Sequence, residues 1–467
     1  MIRGREVGMR IVVVGAGVVG FHLAERLSAE SHKMTIIDSN SELIQRIDDR
    51  LNVQAIQGNA ASLRILRQAK VDSADLVIAV TDRDETNITV SLLAKHLGAS
   101  KCVVRLRNSE LSGNAELMEK CGADASVNPI AVTAEKIQRL VQHPGAFDVS
   151  TFAQDKLFLW GYVISEGSAL DGIVLKDLRK HHDPKKLGLI VAIFRGDDLM
   201  IPRGDDRLIA GDHIYVLMPE SQFEHFRELV HPETEKVEKV VIAGATRLGL
   251  EVARRIEEIR SIKSLIIVEK DRNLAEKASE ELSRALVLHG NIADRDFVTE
   301  NEIGEADYFL ALGTDDTENL TNAMLIRKSG VRRVLLRSEN DQFLPVFQQT
   351  NFGEVINPRR VTVSDILRVI RRGNVVRISQ VGAFGAEVRE YEVTENQLVV
   401  GKKIRDLKLP KASIIGAIQR KSEAGEEIRT AGGDTVILAG DHVIIFALPE
   451  AVEAIEKLFT RRRGFLR

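Results

Sequence analysis

The chain has only two cysteines in 467 residues, Cys102 and Cys121. Two thiols outside any C-x-x-C pair exclude a disulfide framework, so a reducing, cytosolic setting is expected and both read as buried, inert side chains. Aromatic residues are scarce at 4%, which leaves few stacking surfaces for single-stranded nucleic acid. Neither sign of charge dominates: 65 Lys and Arg against 68 Asp and Glu give −3, which excludes a general basic coat for nucleic acid. No apolar run reaches the ~18–20 residues of a membrane span, so any membrane contact is expected to be peripheral. The run Ile11–Phe21 follows Arg3, Arg5 and Arg10 and mimics an export signal. It lacks a small-residue cleavage site and continues as the charged helix HLAERL.

What the chain does have is an internal duplication. IVVVGAGVVGFHLAERL at Ile11–Leu27 returns as VVIAGATRLGLEVARRI at Val240–Ile256, and MTIIDSN at Met34 returns as LIIVEKD at Leu265. QGNA (Gln57) pairs with HGNI (His289), VVRLRN with LLRSEN, and VNP (Val127–Pro129) with INP (Ile356–Pro358). A smaller unit is also repeated. VLKDL (Val174–Leu178) pairs with KIRDL (Lys403–Leu407), and GDHIYV (Gly211–Val216) with GDHVII (Gly440–Ile445). The expected plan is large 9–145, small 146–231, a charged linker 232–238, large 239–373, small 374–459 and a basic tail 460–467. The first eight residues have no counterpart in the second half and read as a misassigned start.

The fold class expected is α/β, with two Rossmann-like parallel-sheet domains, each followed by a small α+β domain. In the first large unit the apolar runs Ile11–Val14, Met34–Ile37, Val53–Ile56, Leu76–Val80 and Cys102–Val104 do not alternate with polar residues. They read as strands buried on both faces of a parallel sheet. The small units show short strands joined by tight turns such as P-x-G-D-D-x-L (Pro202–Leu208).

The motif G-x-G-x-x-G at Gly15–Gly20 ends a strand and opens a helix whose apolar positions Phe21, Ala24 and Leu27 keep helical spacing. Gly15 permits the tight turn, Gly17 lets the backbone approach a pyrophosphate, and Gly20 packs helix on sheet. With Ala16, Val18 and Val19 they offer free N–H groups and a positive dipole end to phosphate. Asp38 ends the second strand, where a carboxylate accepts ribose hydroxyls and repels a 2′-phosphate, favouring NAD(H) over NADP(H). Gly58, Asn59, Thr81 and Asp82 leave the third and fourth strands at the same edge; each fits a turn cap or a cleft wall. Arg105, repeated as Arg337, fits a phosphate contact or an ion pair.

The second loop is altered. GATRLG keeps Gly244 and Gly249 but places Thr246 where the phosphate-approach glycine stood, and Glu269 replaces Asp38. A β-branched Cβ there obstructs a pyrophosphate, leaving weaker binding, another pose or no binding as the options. No Ser-His-Asp, Walker or zinc pattern is present. His181–His182–Asp183 has no further ligand at metal spacing and no counterpart in the second half. His213 and His442 sit in repeated GDH turns, and Asp177 and Asp406 read as helix caps.

The series GAGVVG, IIDSN, QGNA, VTDRDETN, VVRLRN and VNP, followed by IVAIFRG, P-x-G-D-D and GDHIYV, resembles the RCK (also KTN) domains that regulate potassium conductance. The tandem arrangement without a channel segment is similar to the peripheral subunits of bacterial Trk potassium uptake systems. That resemblance implies RCK N-type and C-type domains and no enzymatic activity. It implies NAD(H) as ligand with ATP and ADP as competitors, a homo-oligomeric ring, and docking beneath a TrkH-type transporter on the cytosolic face of the membrane. First-site ligands carried over are Gly15, Ala16, Gly17, Val18, Val19, Asp38, Thr81, Asp82 and Arg105. Second-site ligands are Gly244, Ala245, Thr246, Arg247, Leu248, Glu269, Thr314 and Arg337. The competing readings are an NAD-dependent oxidoreductase and a regulator of a different ion transporter.

Overall fold

A computed structural model describes residues 9–29, 32–183, 187–196, 198–232, 236–340, 353–370, 375–381, 386–422 and 425–459. The leader before Met9, part of the linker and the basic tail with Arg461–Arg463 lie outside these residues.

The first half opens with β1 (Arg10–Val14), α1 (Val18–Ala29), β2 (Lys33–Asp38), α2 (Ser41–Arg50), β3 (Gln54–Gln57) and α3 (Leu63–Gln68). It continues with β4 (Leu76–Ala79), α4 (Asp84–Leu97), β5 (Cys102–Arg105), α5 (Ser109–Ser112), α6 (Ala115–Lys120), β6 (Ala125–Val127) and α7 (Pro129–Gln142). The sheet order β3-β2-β1-β4-β5-β6 is parallel throughout, the doubly wound order whose switch point lies between β1 and β4. Ile11–Val14 and Leu76–Ala79 are buried on both faces, as their unbroken hydrophobicity requires. The sixth strand was not among the five expected runs; Ala125–Val127 is short and only Val127 is fully buried.

The small unit that follows contains β7 (Ala146–Phe152), β8 (Leu157–Val163), α8 (Leu175–His181), β9 (Leu189–Arg195), β10 (Asp198–Met200), β11 (His213–Met218) and α9 (Phe223–Val230). Its sheet is antiparallel, in the order β10-β9-β11-β8-β7. Asp177 does not cap α8: the capping position is Val174, and Asp177 lies inside the first turn, paired with Lys180. Asp406 closes a single 3-10 turn, Ile404–Asp406. Cys102 is buried, and burial pushes its thiol up to about 11; Cys121 is only half-buried.

The second half repeats both units. Its strands β12 (Lys239–Ala243), β13 (Ser264–Glu269), β14 (Leu286–His289), β15 (Tyr308–Ala311), β16 (Arg333–Arg337) and β17 (Glu354–Ile356) take the order β14-β13-β12-β15-β16-β17. Helices α10 (Arg247–Glu257), α11 (Arg272–Glu281), α12 (Arg295–Glu300) and α13 (Asp316–Lys328) connect them. The second small sheet uses β18 (Val375–Val381), β19 (Ala386–Glu392), β20 (Ser413–Ser422), β21 (Gly425–Thr430) and β22 (His442–Ala447).

The halves are joined by exchange. Helix α7, which ends the first Rossmann unit, packs on α10 of the second. Its counterpart Pro358–Ile370 packs on α1 of the first. Accordingly Ala134 and Ile137 share a core with Val240, Val252 and Ile256, while Val363, Ile366 and Leu367 share one with Ile11, Val19 and Leu23. Each crossover helix buries its apolar stripe against the other half, so the two carboxyl edges are brought to one place.

Candidate functional site

The first cleft is built by the turn after β1. Gly15 has φ +105°, and a Cβ there would press on the Thr81 backbone. A Cβ on Gly20 would overlap the Gly15 carbonyl, which is the close helix–strand approach the third glycine permits. Gly17 differs: a Cβ there meets nothing within 4 Å, because the residue faces open cavity. Having no side chain, Gly17 cannot cap α1, so the helix N-terminus is left for an external acceptor. The Asp38 carboxylate accepts the Ala16 N–H at 2.7 Å and the Asn40 N–H at 2.8 Å. These bonds fix its position on the cavity wall and leave lone pairs for further donors.

The second cleft repeats the frame with one change. Glu269 accepts the Ala245 N–H at 2.7 Å and the Asp271 N–H at 2.9 Å, but it is buried. Thr246 caps α10: its Oγ1 accepts the Gly249 N–H at 3.1 Å and donates to the Leu312 carbonyl at 2.9 Å. The expected obstruction is therefore more than bulk, since an internal hydroxyl already occupies one of the helix donors.

Beyond the glycine loops, sequence reasoning missed the residues that hold the cleft edge. Buried Asn87 accepts the Thr81 N–H at 3.0 Å and donates to the Thr81 and Arg105 carbonyls. Asn319 does the same for Gly313 and Arg337. Asp84 accepts the Arg107 and Asn108 N–H groups, as Asp316 accepts those of Glu339 and Asn340. The repetition of ETN as TEN was the available signal. These contacts make Gly313 the counterpart of Thr81, Thr314 that of Asp82, and Glu339 that of Arg107.

Arg105 takes the ion-pair role in this structure, with Nη1 3.2 Å from Asp82, and Arg107 Nη2 joins the same carboxylate at 2.7 Å. Burial, followed by the Arg107 charge, holds Arg105 below an arginine's usual value, while Asp82 and Glu339 oppose that shift. In the second half Arg337 donates to the Gly313 carbonyl at 2.6 Å and pairs with Glu339, which also holds Arg359 at 2.7 Å.

One cavity of about 1050 Å³ runs across both clefts. Gly15, Gly17, Val18, Val19, Asp38, Asn59, Thr81, Asp82 and Arg105 line it from the first half, and Thr246, Arg247, Leu248, Thr314 and Arg337 from the second. Ala16, Gly244, Ala245 and Glu269 stand behind the wall rather than on it. Arg83, Arg107, Glu339, Arg359 and both crossover-helix N-termini also line it. Six arginines face three carboxylates, so an otherwise slightly acidic chain carries an anion-attracting cavity.

The TrkA-N domain family matches residues 11–129 and 240–358, and the TrkA-C domain family matches 161–231 and 388–460. The chain belongs to the TrkA family. A "Trk system potassium uptake protein TrkA" of Vibrio alginolyticus is 32% identical over 98% of this chain and 100% of its own length. A TrkA homolog of Archaeoglobus fulgidus is 33% identical over 97% and 100%. Among solved structures, the "GsuK RCK domain" shares the fold with a TM-score of 0.59 at 16% identity, covering 98% of this chain and 96% of that one. The "GsuK channel bound to NAD" matches with a TM-score of 0.58 at 16% identity, covering 98% and 80%. The paired TrkA-N and TrkA-C modules are thus the large and small repeats of the sequence. Among the described residues no helix is long and apolar enough to cross a membrane.

Proposed function

We propose that this TrkA-family chain is the nucleotide-sensing regulatory subunit of a potassium uptake system. NAD(H) binds the first cleft, ATP and ADP compete for it, and the assembled ring gates a TrkH-type membrane partner on the cytosolic face. The observation that carries the nucleotide reading is the meeting of the uncapped α1 N-terminus with Asp38 on one basic cavity wall. A phosphate accepted by the helix N–H groups leaves a ribose beside the carboxylate. The relatives' name supports the potassium role, and the NAD bound to GsuK supports the ligand class. Among the described residues the cavity wall carries no histidine, cysteine, lysine or tyrosine. Asp82 and Glu339 are already held by arginines, which favours sensing over hydride transfer with acid–base help.

In calorimetry Asp38→Ala should weaken NADH about 10- to 150-fold, the equivalent of ~1.5–3 kcal/mol of charged hydrogen bonding. Glu269→Ala, which removes the same kind of loop bonds in the second half, should change NADH affinity little. A larger loss from Glu269→Ala would reverse the ranking of the clefts. For the transport role, a deletion strain should take up potassium poorly at low external concentration; unchanged uptake without a redundant homologue removes that assignment.

A further inference from the structure

We infer that Glu339, contributed by the second half, sets the charge class of the ligand that the shared cavity accepts. It favours a dinucleotide ending in nicotinamide over a nucleoside polyphosphate ending in phosphate. This rests on the nucleotide reading above. The two halves hold the same backbone corner, Asp84 with the N–H of Arg107 and Asp316 with the N–H of Glu339. The side chain leaving that corner has reversed its charge. The second half has also lost the exposed carboxylate of the first, since Thr314 stands where Asp82 does.

The two carboxylates are not equivalent electrostatically. Asp82 is 80% exposed, so its hold on Arg105 and Arg107 is weak and solvent-screened. Glu339 is 32% exposed and pinned by Arg337 and Arg359, so an incoming phosphate cannot simply displace it into water. Its field reaches across the cavity to Arg105 of the first cleft. A dinucleotide anchored by its pyrophosphate on α1 extends its distal end toward this edge of the sheet. There Glu339 cancels one of the two arginine charges it is paired with, so a terminal phosphate meets less positive charge than those arginines alone would offer, whereas the nicotinamide ring of NAD⁺ carries a positive charge that Glu339 attracts.

The test is calorimetry on the full chain with NAD⁺, NADH and ADP. Glu339→Gln frees Arg337 and Arg359 and should tighten ADP about tenfold, while NAD⁺ holds or weakens within threefold. NAD⁺ should lose more than NADH. Arg359→Met leaves Glu339 less neutralised and should move the ADP-to-NAD⁺ ratio the other way; it carries the test if Glu339→Gln fails to fold. A ratio moved less than twofold in the folded variant overturns the role of Glu339, even though wild-type NAD⁺ binding stands. A wild-type chain that binds none of the three overturns the nucleotide reading itself.

Discussion

Helix α1, whose first turn borders the glycine loop, is tied at its other end to the second small unit. Arg26 Nη1 lies 2.5 Å from Glu387 Oε1 on β19, and Glu387 Oε2 lies 2.8 Å from Arg389 Nε. Arg389 Nη1 reaches Glu456 at 2.5 Å. Arg389 is 3% exposed and Glu387 8%, so this is a buried pair whose loss strands a charge. Breaking such a pair from one side costs about 3–5 kcal/mol, and the retained Glu456 contact argues for the lower end. In the first half the positions of Glu387 and Arg389 hold Phe158 and Trp160, stacked at 5.1 Å. That half is a natural precedent for replacing the pair by packing. Glu387→Gln should therefore raise hydrogen-exchange rates of α1 and β19 amides about 100-fold, with α10 unchanged. The double variant Glu387→Leu with Arg389→Leu should recover most of the loss. Exchange is preferable to a single melting curve, because a chain of several modules need not unfold in one step. If the single variant costs less than about 1 kcal/mol, the pair is not the tie described.

Thr246→Gly removes the α10 cap and should cost only about a few tenths of a kcal/mol of stability in denaturant unfolding, yet strengthen nucleotide binding in the second cleft by freeing the Gly249 N–H; tighter binding is the outcome that tests the capping explanation. His231, bonded to Ser165 and pushed down to about 4 by burial and then by Arg333 and Arg227, must stay neutral in the folded chain. Its contribution is complete above pH ~6.5 and is lost as pH falls toward 4, roughly 3 kcal/mol in all. Melts of His231→Gln should be correspondingly flatter over that window, and equal acid loss in both proteins would show that another group carries it.

Much of this architecture was legible because it rests on local rules. Unbroken apolar runs gave the parallel strands, and the glycine spacing placed the turn after β1 and the close approach at Gly20. Two features were not legible for a common reason. The exchange of α7 and Pro358–Ile370 between halves depends on which of several apolar stripes each helix meets, and periodicity marks a stripe without naming its partner. Arg107 and Glu339 lie two residues beyond the ends of β5 and β16, where no period constrains them, and Arg359 lies in the first turn of its helix, off the apolar stripe. Only their common wall brings them together. Asp177 shows the opposite error: a capping residue type beside a helix was read as the cap, although Val174 occupies that position.

The pattern of change between the halves follows from what each residue supports. Asn87 and Asn319 each satisfy three backbone groups of two neighbouring strands. Replacing either leaves buried N–H and C=O groups unpaired, at about 1–3 kcal/mol apiece. Asp84 and Asp316 likewise each accept two successive backbone N–H groups of the loop after β5 or β16. These positions have stayed the same across the duplication. Gly17 and Thr246, Asp82 and Thr314, Arg107 and Glu339, and Ile130 and Arg359 instead face the cavity, where a side chain touches solvent or ligand and its replacement strains no backbone. Such positions could diverge without loss of fold. The second half thus shares the backbone frame of the first cleft while presenting a different wall to it. A ligand in that cleft therefore meets two chemically different surfaces, one from each half.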